Sequence, residues 1–128
     1  MYKVNHIHIK SKDPGKDANW FVNAFNFEII NDEVRSVGDR FIMCQSEDGF
    51  RVNISGERTN EKLGPSDADP HFGLEHFGLD SDNLEKDILR LESLGATLAE
   101  GPMEMPGIRI VFLKTPGDVR IELIQIKD

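Results

Sequence analysis

Hydrophobic and polar positions alternate in several short segments of the chain, which is the pattern of strands with one buried face. The alternation is clearest in HIHIK from residue 6, RVNIS from residue 51, FGLD from residue 77 and RIELI from residue 120. Apolar residues instead recur at helical spacing between Trp20 and Phe25 and between Leu84 and Leu94. The chain therefore predicts an α+β fold in which short strands are combined with two helices.

Both predicted helices have recognisable ends. Asp13 suits the N-cap of the first helix, and Pro14 suits its first helical position. Asp82, followed by Glu85, predicts the start of the second helix, and Gly95 predicts its end because glycine tolerates the left-handed conformation there. Each helix is expected to follow directly after a strand.

The same order of elements occurs twice. Residues 4–55 and 74–124 each contain a strand with a histidine near its start, a helix, a weak strand, an apolar strand, a glycine-containing turn and a last strand. His6 and Asn53 are 47 positions apart, and His76 and Glu122 are 46 apart. Chance similarity of short strands does not usually keep both the order and this spacing. An internal duplication is therefore the better interpretation.

A length of 128 residues suits one domain. We predict a single domain over residues 1–128, with module one at 1–56, a linker at 57–71 and module two at 72–128. The linker is rich in Gly, Pro, Asp and Asn, which is typical of a connecting loop. His71 falls in it and is expected to be an ordinary loop residue.

Composition excludes some partners. The net charge of −8, from 23 acidic and 15 basic side chains, repels polyphosphate and argues against nucleic acid. No apolar run approaches membrane-spanning length and the start of the chain lacks a signal-peptide pattern, so we expect no membrane partner and a cytoplasmic location. Cys44 is the only cysteine and lies in FIMCQ, which predicts a buried thiol rather than a nucleophile.

Polar side chains share one face of the first and last strands of each half. Alternation places Val52, Ile54, Ile121 and Leu123 toward the helices, and on the opposite faces lie His6, His8, Arg51, Asn53, His76, Arg120 and Glu122. One interpretation is that these polar faces meet water. The repeat favours another, because it places a histidine and a last-strand polar residue at equivalent positions in both halves. Two modules related by a twofold axis would bring them into a shared cleft.

Two imidazoles and a carboxylate form a typical ligand set for Zn, Ni, Mn, Co or Fe(II). Three such ligands leave coordination positions open for water or a substrate, as catalytic rather than structural metal sites do. His6, His76 and Glu122 are the candidates. Each of them alone is also compatible with an ordinary strand position, so the metal interpretation depends on the duplication.

The chain resembles the vicinal oxygen chelate superfamily, which includes glyoxalases, bleomycin-resistance proteins and dioxygenases. HIHIKSKDPGKDANWFVNAF is similar to the opening of the first module in that superfamily, and HFGLDSDNLEKDILRLESLGA with TPGDVRIELIQ is similar to the second. The resemblance implies two βαβββ modules that form an incomplete, U-shaped mixed β-barrel, the fold of glyoxalase, bleomycin-resistance and dihydroxybiphenyl dioxygenase proteins.

Matched residue by residue, the resemblance implies metal ligands at His6, His76 and Glu122. Asn53 stands where glyoxalase I-like members have a glutamate. A neutral amide oxygen is a weaker ligand than a carboxylate, so Asn53 is expected to bind the metal loosely, through water or not at all, and to contact the substrate.

The neighbouring side chains have open roles. His8 shares a face with His6 and is a candidate proton-transfer group, a partner of a metal ligand, the metal ligand itself if the register is shifted by two residues, or a solvent-facing residue. Arg51 and Arg120 occupy equivalent positions and are candidates to hold an anionic substrate, or are exposed charge partners of the next strand.

The resemblance implies a metal-dependent lyase or isomerase of glyoxalase type, acting on a small oxygen-chelating substrate through an enolate-like intermediate. Its base would be metal-bound water, His8 or a ligand carboxylate such as Glu122. One alternative is an Fe(II) extradiol-type dioxygenase, which the three-ligand set favours and the short chain disfavours. Another is a metal-free small-molecule binding protein similar to bleomycin-resistance proteins, against which the retained ligands argue. A homodimer is expected from the same resemblance.

Overall fold

Two compact units, Met1–Gly64 and Pro65–Asp128, make up the computed structural model, which describes all 128 residues. The first unit contains β1 (His6–Lys10), α1 (Pro14–Phe25), β2 (Glu28–Val34), β3 (Arg40–Gln45) and β4 (Arg51–Ser55). The second contains β5 (Phe77–Asp80), α2 (Leu84–Ser93), β6 (Thr97–Met105), β7 (Ile108–Lys114) and β8 (Arg120–Ile126). Both units have the order βαβββ, so the predicted α+β fold of two such modules is confirmed. The boundary between them falls inside the predicted linker.

Each unit has one four-stranded mixed sheet. The strand orders are β1-β4-β3-β2 and β5-β8-β7-β6, in which the first and last strands of each unit pair in parallel and the other pairs are antiparallel. Such a parallel pair requires a crossover connection. The helix of each unit lies in the stretch between its first and last strands, and it contacts strands of its own sheet.

The two parallel ladders have the same register. In the first unit His8 pairs with Asn53, and in the second Gly78 pairs with Glu122. Counted from the histidine that opens each module, these are equivalent pairs. The duplication read from the sequence therefore extends to the pairing of individual residues, and Gly78 occupies the position that His8 has in the first module.

The apolar face of each sheet and one face of its helix form a separate core in each unit. Fully or almost fully buried residues of the first core include Ala18, Phe21, Ala24, Ile42, Cys44, Val52 and Ile54, and those of the second include Leu84, Leu91, Val111, Leu113, Ile121 and Leu123. Burial raises the pKa of Cys44 to about 11, so this thiol is protonated at neutral pH. The apolar residues that alternation placed toward the helix in the last strand of each module are buried, and on the opposite face Asn53 and Arg120 are buried as well.

The N-caps of the two helices are equivalent residues. Asp13 caps α1 as predicted, and its side chain accepts a hydrogen bond from the backbone N–H three residues later. The N-cap of α2 is Asn83, which does the same, so the prediction of Asp82 was wrong by one position. The reason is that α2 begins at Leu84, which is fully buried and whose N–H donates to Gln125.

A second set of hydrogen bonds anchors each helix to the preceding strand. The hydroxyl of Ser11 accepts from the backbone N–H of the N-cap residue and donates to Asp17, at 2.5 Å. Ser81 makes the same two contacts, with Asp87 at 2.6 Å. Neither helix is long and apolar enough to cross a membrane.

Candidate metal and substrate site

His76 and Glu122 come together in the second unit. Glu122 lies on β8, and His76 immediately precedes β5, the strand that pairs with β8. The His76 Nε2 atom is 3.8 Å from the Glu122 Oε1 atom, and their side chains are 30% and 15% exposed. The edge of the His76 ring contacts the ring of Phe112, with 5.0 Å between centroids. Two of the three predicted ligands are thus adjacent, half-buried and within reach of solvent.

Glycine at position 78 leaves room for the carboxylate of Glu122. Gly78 lies opposite Glu122 in the parallel ladder, and a Cβ atom added to Gly78 would be only 3.3 Å from Glu122 Oε1. A side chain at this position would push against the carboxylate. The equivalent position in the first unit holds His8 beside the shorter Asn53, so the two modules differ at both positions.

The residue before each predicted ligand histidine contacts the Nδ1 atom of that histidine. His6 Nδ1 is 2.8 Å from the side-chain oxygen of Asn5, and His76 Nδ1 is 3.3 Å from Glu75 Oε1. Because these oxygens accept hydrogen bonds, Nδ1 is the donor in both rings, and in a neutral ring this leaves the lone pair on Nε2. Metal-binding histidines commonly donate their other ring N–H in this way.

Arg120 is buried and ion-paired. Its side chain is 4% exposed, and its Nε atom lies 3.4 Å from Glu75 Oε1, an ion-pair contact without hydrogen-bond geometry. Its two terminal nitrogens donate to Glu100, at 3.1 Å, and to the carbonyl of Ala68, at 3.2 Å. The guanidinium also lies over the ring of Phe112. Arg120 is thus not an exposed partner of a neighbouring strand, and it holds Glu75 against His76.

Arg51 and Asn53, on β4 of the first unit, have polar atoms without partners. Asn53 is 5% exposed and its Oδ1 atom is buried without a hydrogen bond. Arg51 is half-buried; its terminal nitrogens contact the sulfur of Met43 and, at 3.5 Å, Gln45, while its Nε atom is buried and unpaired. Buried polar groups are rarely left unpaired, so this face offers one acceptor and one donor to a ligand.

His8 lies on the same face of the first sheet. Its Nε2 atom is 2.7 Å from the hydroxyl of Ser55, and its ring contacts Phe41 edge-on, with 5.3 Å between centroids. Burial lowers the pKa of His8 below the usual value, and the charges of Lys10 and Arg35 lower it further. The imidazole is therefore neutral at pH 7, the form that accepts a proton.

Neither unit contains a complete predicted ligand set. His6 belongs to the first unit, and His76 and Glu122 belong to the second. No group of three or more His, Cys, Asp or Glu side chains is arranged as a metal site in the structure. Sequence reasoning missed Asn5 and Glu75, although one signal was present, since both precede a ligand candidate at equivalent positions of the repeat.

Comparison with known proteins identifies the family. The model of the Glyoxalase/Bleomycin resistance protein/Dioxygenase superfamily matches residues 3–123, and the chain belongs to this superfamily. The resemblance noted from the sequence is thereby confirmed. A comparison with curated proteins gave no match.

Solved structures of this superfamily share the fold. A glyoxalase family protein from Bacillus cereus has a TM-score of 0.88 at 14% identity, covering 100% of this chain and 96% of that one. The fosfomycin resistance protein FosX from Listeria monocytogenes, solved with Mn(II) and sulfate, has a TM-score of 0.75 at 16% identity, covering 99% and 94%. TnmS3, an antibiotic binding protein from Streptomyces, has a TM-score of 0.70 at 18% identity, covering 99% and 98%. At these identities the likeness shows the fold alone.

Proposed function

We propose that the protein is a divalent-metal-dependent enzyme of glyoxalase type, a lyase or isomerase acting on a small substrate that binds through adjacent oxygen atoms. The observation that carries the proposal is the pairing of His76 with Glu122, in which Glu75 orients the imidazole from behind. FosX, which has the same fold, was solved with Mn(II), and this supports a divalent metal in this superfamily.

The donor atoms of the second unit fit one cation. Nitrogen and oxygen ligands lie about 2.0–2.2 Å from a zinc-like ion, so two donors on the same ion are at most roughly 4.2 Å apart. His76 Nε2 and Glu122 Oε1 are 3.8 Å apart. We propose His6 as the third ligand, because its Nδ1 is hydrogen-bonded like that of His76 and its Nε2 keeps the lone pair. One carboxylate and two imidazoles then leave positions for substrate oxygens.

The residues around the ligands have complementary tasks in this proposal. A bound divalent ion would supply the positive charge that polarises a substrate oxygen. Arg51 would donate from its unpaired Nε to an anionic or carbonyl oxygen of the substrate, and Asn53 would accept a hydrogen bond at its buried Oδ1. His8, neutral at pH 7, would take up a proton from the substrate. Arg120 would act through Glu75 on His76 rather than on the substrate.

Metal content measured by elemental analysis tests the ligand assignment. We expect bound metal in the purified protein and its loss in His6→Ala, His76→Ala and Glu122→Ala. His71→Ala is the matched control, since His71 lies in an exposed loop and contacts only the carbonyl of Phe72. Unchanged metal content in the Glu122→Ala and His76→Ala variants would contradict the proposal.

A substrate screen tests the reaction class. We would assay the metal-loaded protein with 2-oxoaldehyde hemithioacetals, 2-substituted acyl thioesters and catechols. Turnover of either of the first two classes supports a lyase or isomerase, whereas ring cleavage of a catechol under Fe(II) would instead support a dioxygenase.

We also propose a homodimer of this 14.5 kDa chain, which light scattering coupled to size-exclusion chromatography would detect.

Metal-free binding of a small molecule is the second candidate. It is favoured by Asn53, a neutral residue in the position equivalent to Glu122, and by the fold shared with the antibiotic binding protein TnmS3. In that case the purified protein would contain no metal and the three ligand variants would bind small molecules as the unmodified protein does.

A further inference from the structure

Arg51 is the one arginine of the chain without an acidic partner. The sequence contains seven arginines, and its net charge is −8. Six of the seven lie within 4.0 Å of a carboxylate oxygen: Arg35, Arg40, Arg58, Arg90, Arg109 and Arg120. Arg51 instead contacts the neutral side chains of Met43 and Gln45. Its charge is therefore not compensated by any acidic side chain of the protein.

The two contacts of Arg51 satisfy its guanidinium poorly. A thioether sulfur such as that of Met43 is a weak acceptor, and the contact with Gln45, at 3.5 Å, is longer than the roughly 2.7–3.2 Å of an ordinary hydrogen bond. The Nε atom is buried and has no partner. Because arginine stays charged at neutral pH, removing its guanidinium from water without a counter-charge costs free energy.

Arg120 is the equivalent of Arg51 in the second module. Each of the two arginines is the first residue of the last strand of its module. Arg120 lies between two carboxylates, with Glu75 at 3.4 Å and Glu100 at 3.1 Å. In the second module, therefore, two acidic side chains compensate the charge of the arginine at this position.

Both of these carboxylates are replaced by amides in the first module. Asn5 has the position of Glu75, immediately before the histidine that opens the module. The antiparallel ladders give Asn31, on β2, the position that Glu100 has on β6. The arginine is thus present in both modules, whereas its acidic partners are present in the second module only.

We propose that Arg51 binds a carboxylate group of the substrate, which supplies the negative charge that Glu75 and Glu100 supply to Arg120. The substrate is then a small carboxylic acid in its anionic form rather than a neutral carbonyl compound. That the bound carboxylate belongs to the substrate of a metal-dependent reaction rests on the proposed function. Carboxylate binding itself rests on the first unit alone.

Two other arginines of the first unit show how such a carboxylate is bound. Arg35 donates to Asp39, and Arg40 donates to Asp32, in each case from Nε and Nη2 to the two carboxylate oxygens. This paired geometry is typical of arginine with carboxylates. In Arg51 the same two nitrogens are the poorly satisfied ones, since Nε is unpaired and Nη2 has only the 3.5 Å contact.

Nuclear magnetic resonance of the full-length, 15N-labelled protein measures carboxylate binding at Arg51 itself. The protein is stripped of metal and dialysed free of the chelator, because a bound metal ion would also bind carboxylates. Lactate is then added at neutral pH and constant ionic strength, and the Nε–H signal of Arg51 is followed. We expect a saturable shift of this signal with lactate and no shift with lactamide, its neutral amide of similar shape.

Replacing Arg51 by Gln tests whether the guanidinium is responsible. Lactate affinity, followed through the backbone N–H signals of β4, should fall about tenfold or more, because a hydrogen-bonded charge is lost. Arg40→Gln is the matched control, since it removes the same charge from the same unit but from an arginine that is already paired with Asp32. It should leave lactate affinity unchanged.

Replacing Asn31 by Glu tests the comparison of the two modules without altering Arg51. The new carboxylate would have the position of Glu100 and should pair with Arg51, so lactate affinity should fall several-fold. Asn31 is exposed, which makes the substitution compatible with the fold. Asn31→Gln lengthens the side chain equally without adding charge, and it should bind lactate as the unmodified protein does.

Four results would overturn the proposal: no shift of the Arg51 signal with lactate, an equal shift with lactamide, equal weakening in Arg51→Gln and Arg40→Gln, or unchanged affinity in Asn31→Glu. None of these measurements involves metal or turnover. If lactate binds as expected but the purified protein contains no metal, the proposed enzymatic function fails and the carboxylate site stands. If the metal variants behave as expected and lactate leaves the Arg51 signal unchanged, the carboxylate proposal fails alone.

Discussion

Replacing Glu75 by Gln tests whether the orientation of His76 supports metal binding. Glu75 Oε1 is shared between His76 Nδ1, at 3.3 Å, and Arg120 Nε, at 3.4 Å. Glutamine keeps the size of the side chain but removes its charge, so it accepts a weaker hydrogen bond from the imidazole. Loss of groups that orient metal ligands typically weakens binding about 10–100-fold.

The expected loss in Glu75→Gln is at the lower end of that range. Glu75 is 37% exposed, so water screens its charge, and 3.3 Å is longer than the roughly 2.7–2.9 Å of a strong charge-assisted hydrogen bond. We therefore expect a decrease in metal affinity of about tenfold, which corresponds to about 1.4 kcal/mol. Competition with a chromophoric chelator would give the dissociation constant of each variant.

Glu100→Gln is the matched control for this experiment. Glu100 also accepts from Arg120, at 3.1 Å, and is more exposed than Glu75, but it does not contact His76. Its replacement removes the same charge beside the same arginine and should leave metal affinity unchanged. The reasoning is refuted if Glu75→Gln binds metal as tightly as the unmodified protein, or if Glu100→Gln loses as much affinity. An equal loss in Glu100→Gln would mean that the charge beside Arg120, rather than the hydrogen bond to the His76 imidazole, controls metal affinity.

Further predictions concern the fold around the site. Gly78→Ala should weaken metal binding because its methyl group would crowd Glu122 Oε1, which a chelator competition would detect. Asn83→Ala should lower the free energy of unfolding by about 1 kcal/mol, the usual effect of removing an N-cap, whereas Asp82→Ala should have little effect; urea denaturation measures both. Cys44 should react with a thiol reagent at pH 8 only after unfolding, because burial raises its pKa to about 11 and keeps it protonated.

Each of these predictions has a contrary outcome. Gly64→Ala is the control for position 78, since a Cβ added there meets no atom within 4 Å; equal effects of the two glycine variants would argue against crowding. A larger loss of stability in Asp82→Ala than in Asn83→Ala would contradict the assigned N-cap. Rapid modification of Cys44 in the native protein would contradict its burial.

The architecture was predictable because it follows from local patterns that occur twice. Period-two alternation defined the buried side of the last strands, where Val52 and Ile121 are fully buried, and apolar spacing defined both helices. The residue at which each helix begins was harder to predict than the helix itself. Asp82 and Asn83 are both good N-cap residues, and the choice between them depends on the burial of Leu84, a tertiary contact that local propensity does not contain.

The residues supporting the site were not predictable in the same way. Arg120 is fixed by Glu100, 20 positions away, and by the carbonyl of Ala68, 52 positions away, and no periodicity connects these residues. Asp39 likewise reads as one more polar residue in a turn, and only the folded chain buries it beside Arg35 and Lys10. Strand alternation identifies which side chains share a face. Which of them form hydrogen bonds or ion pairs with each other depends on packing across strands.

Comparison of the two modules separates the requirements of folding from those of chemistry. The serine and aspartate that anchor each helix are identical in the two halves, Ser11 with Asp17 and Ser81 with Asp87, and they make the same hydrogen bonds. The ladder pair on the polar face of each sheet differs instead, His8 with Asn53 in one half and Gly78 with Glu122 in the other. Because the same strand register accommodates both residue pairs, the fold itself requires neither pair. Under the proposed function the two pairs have different tasks, proton transfer and substrate contact in the first module and metal binding in the second.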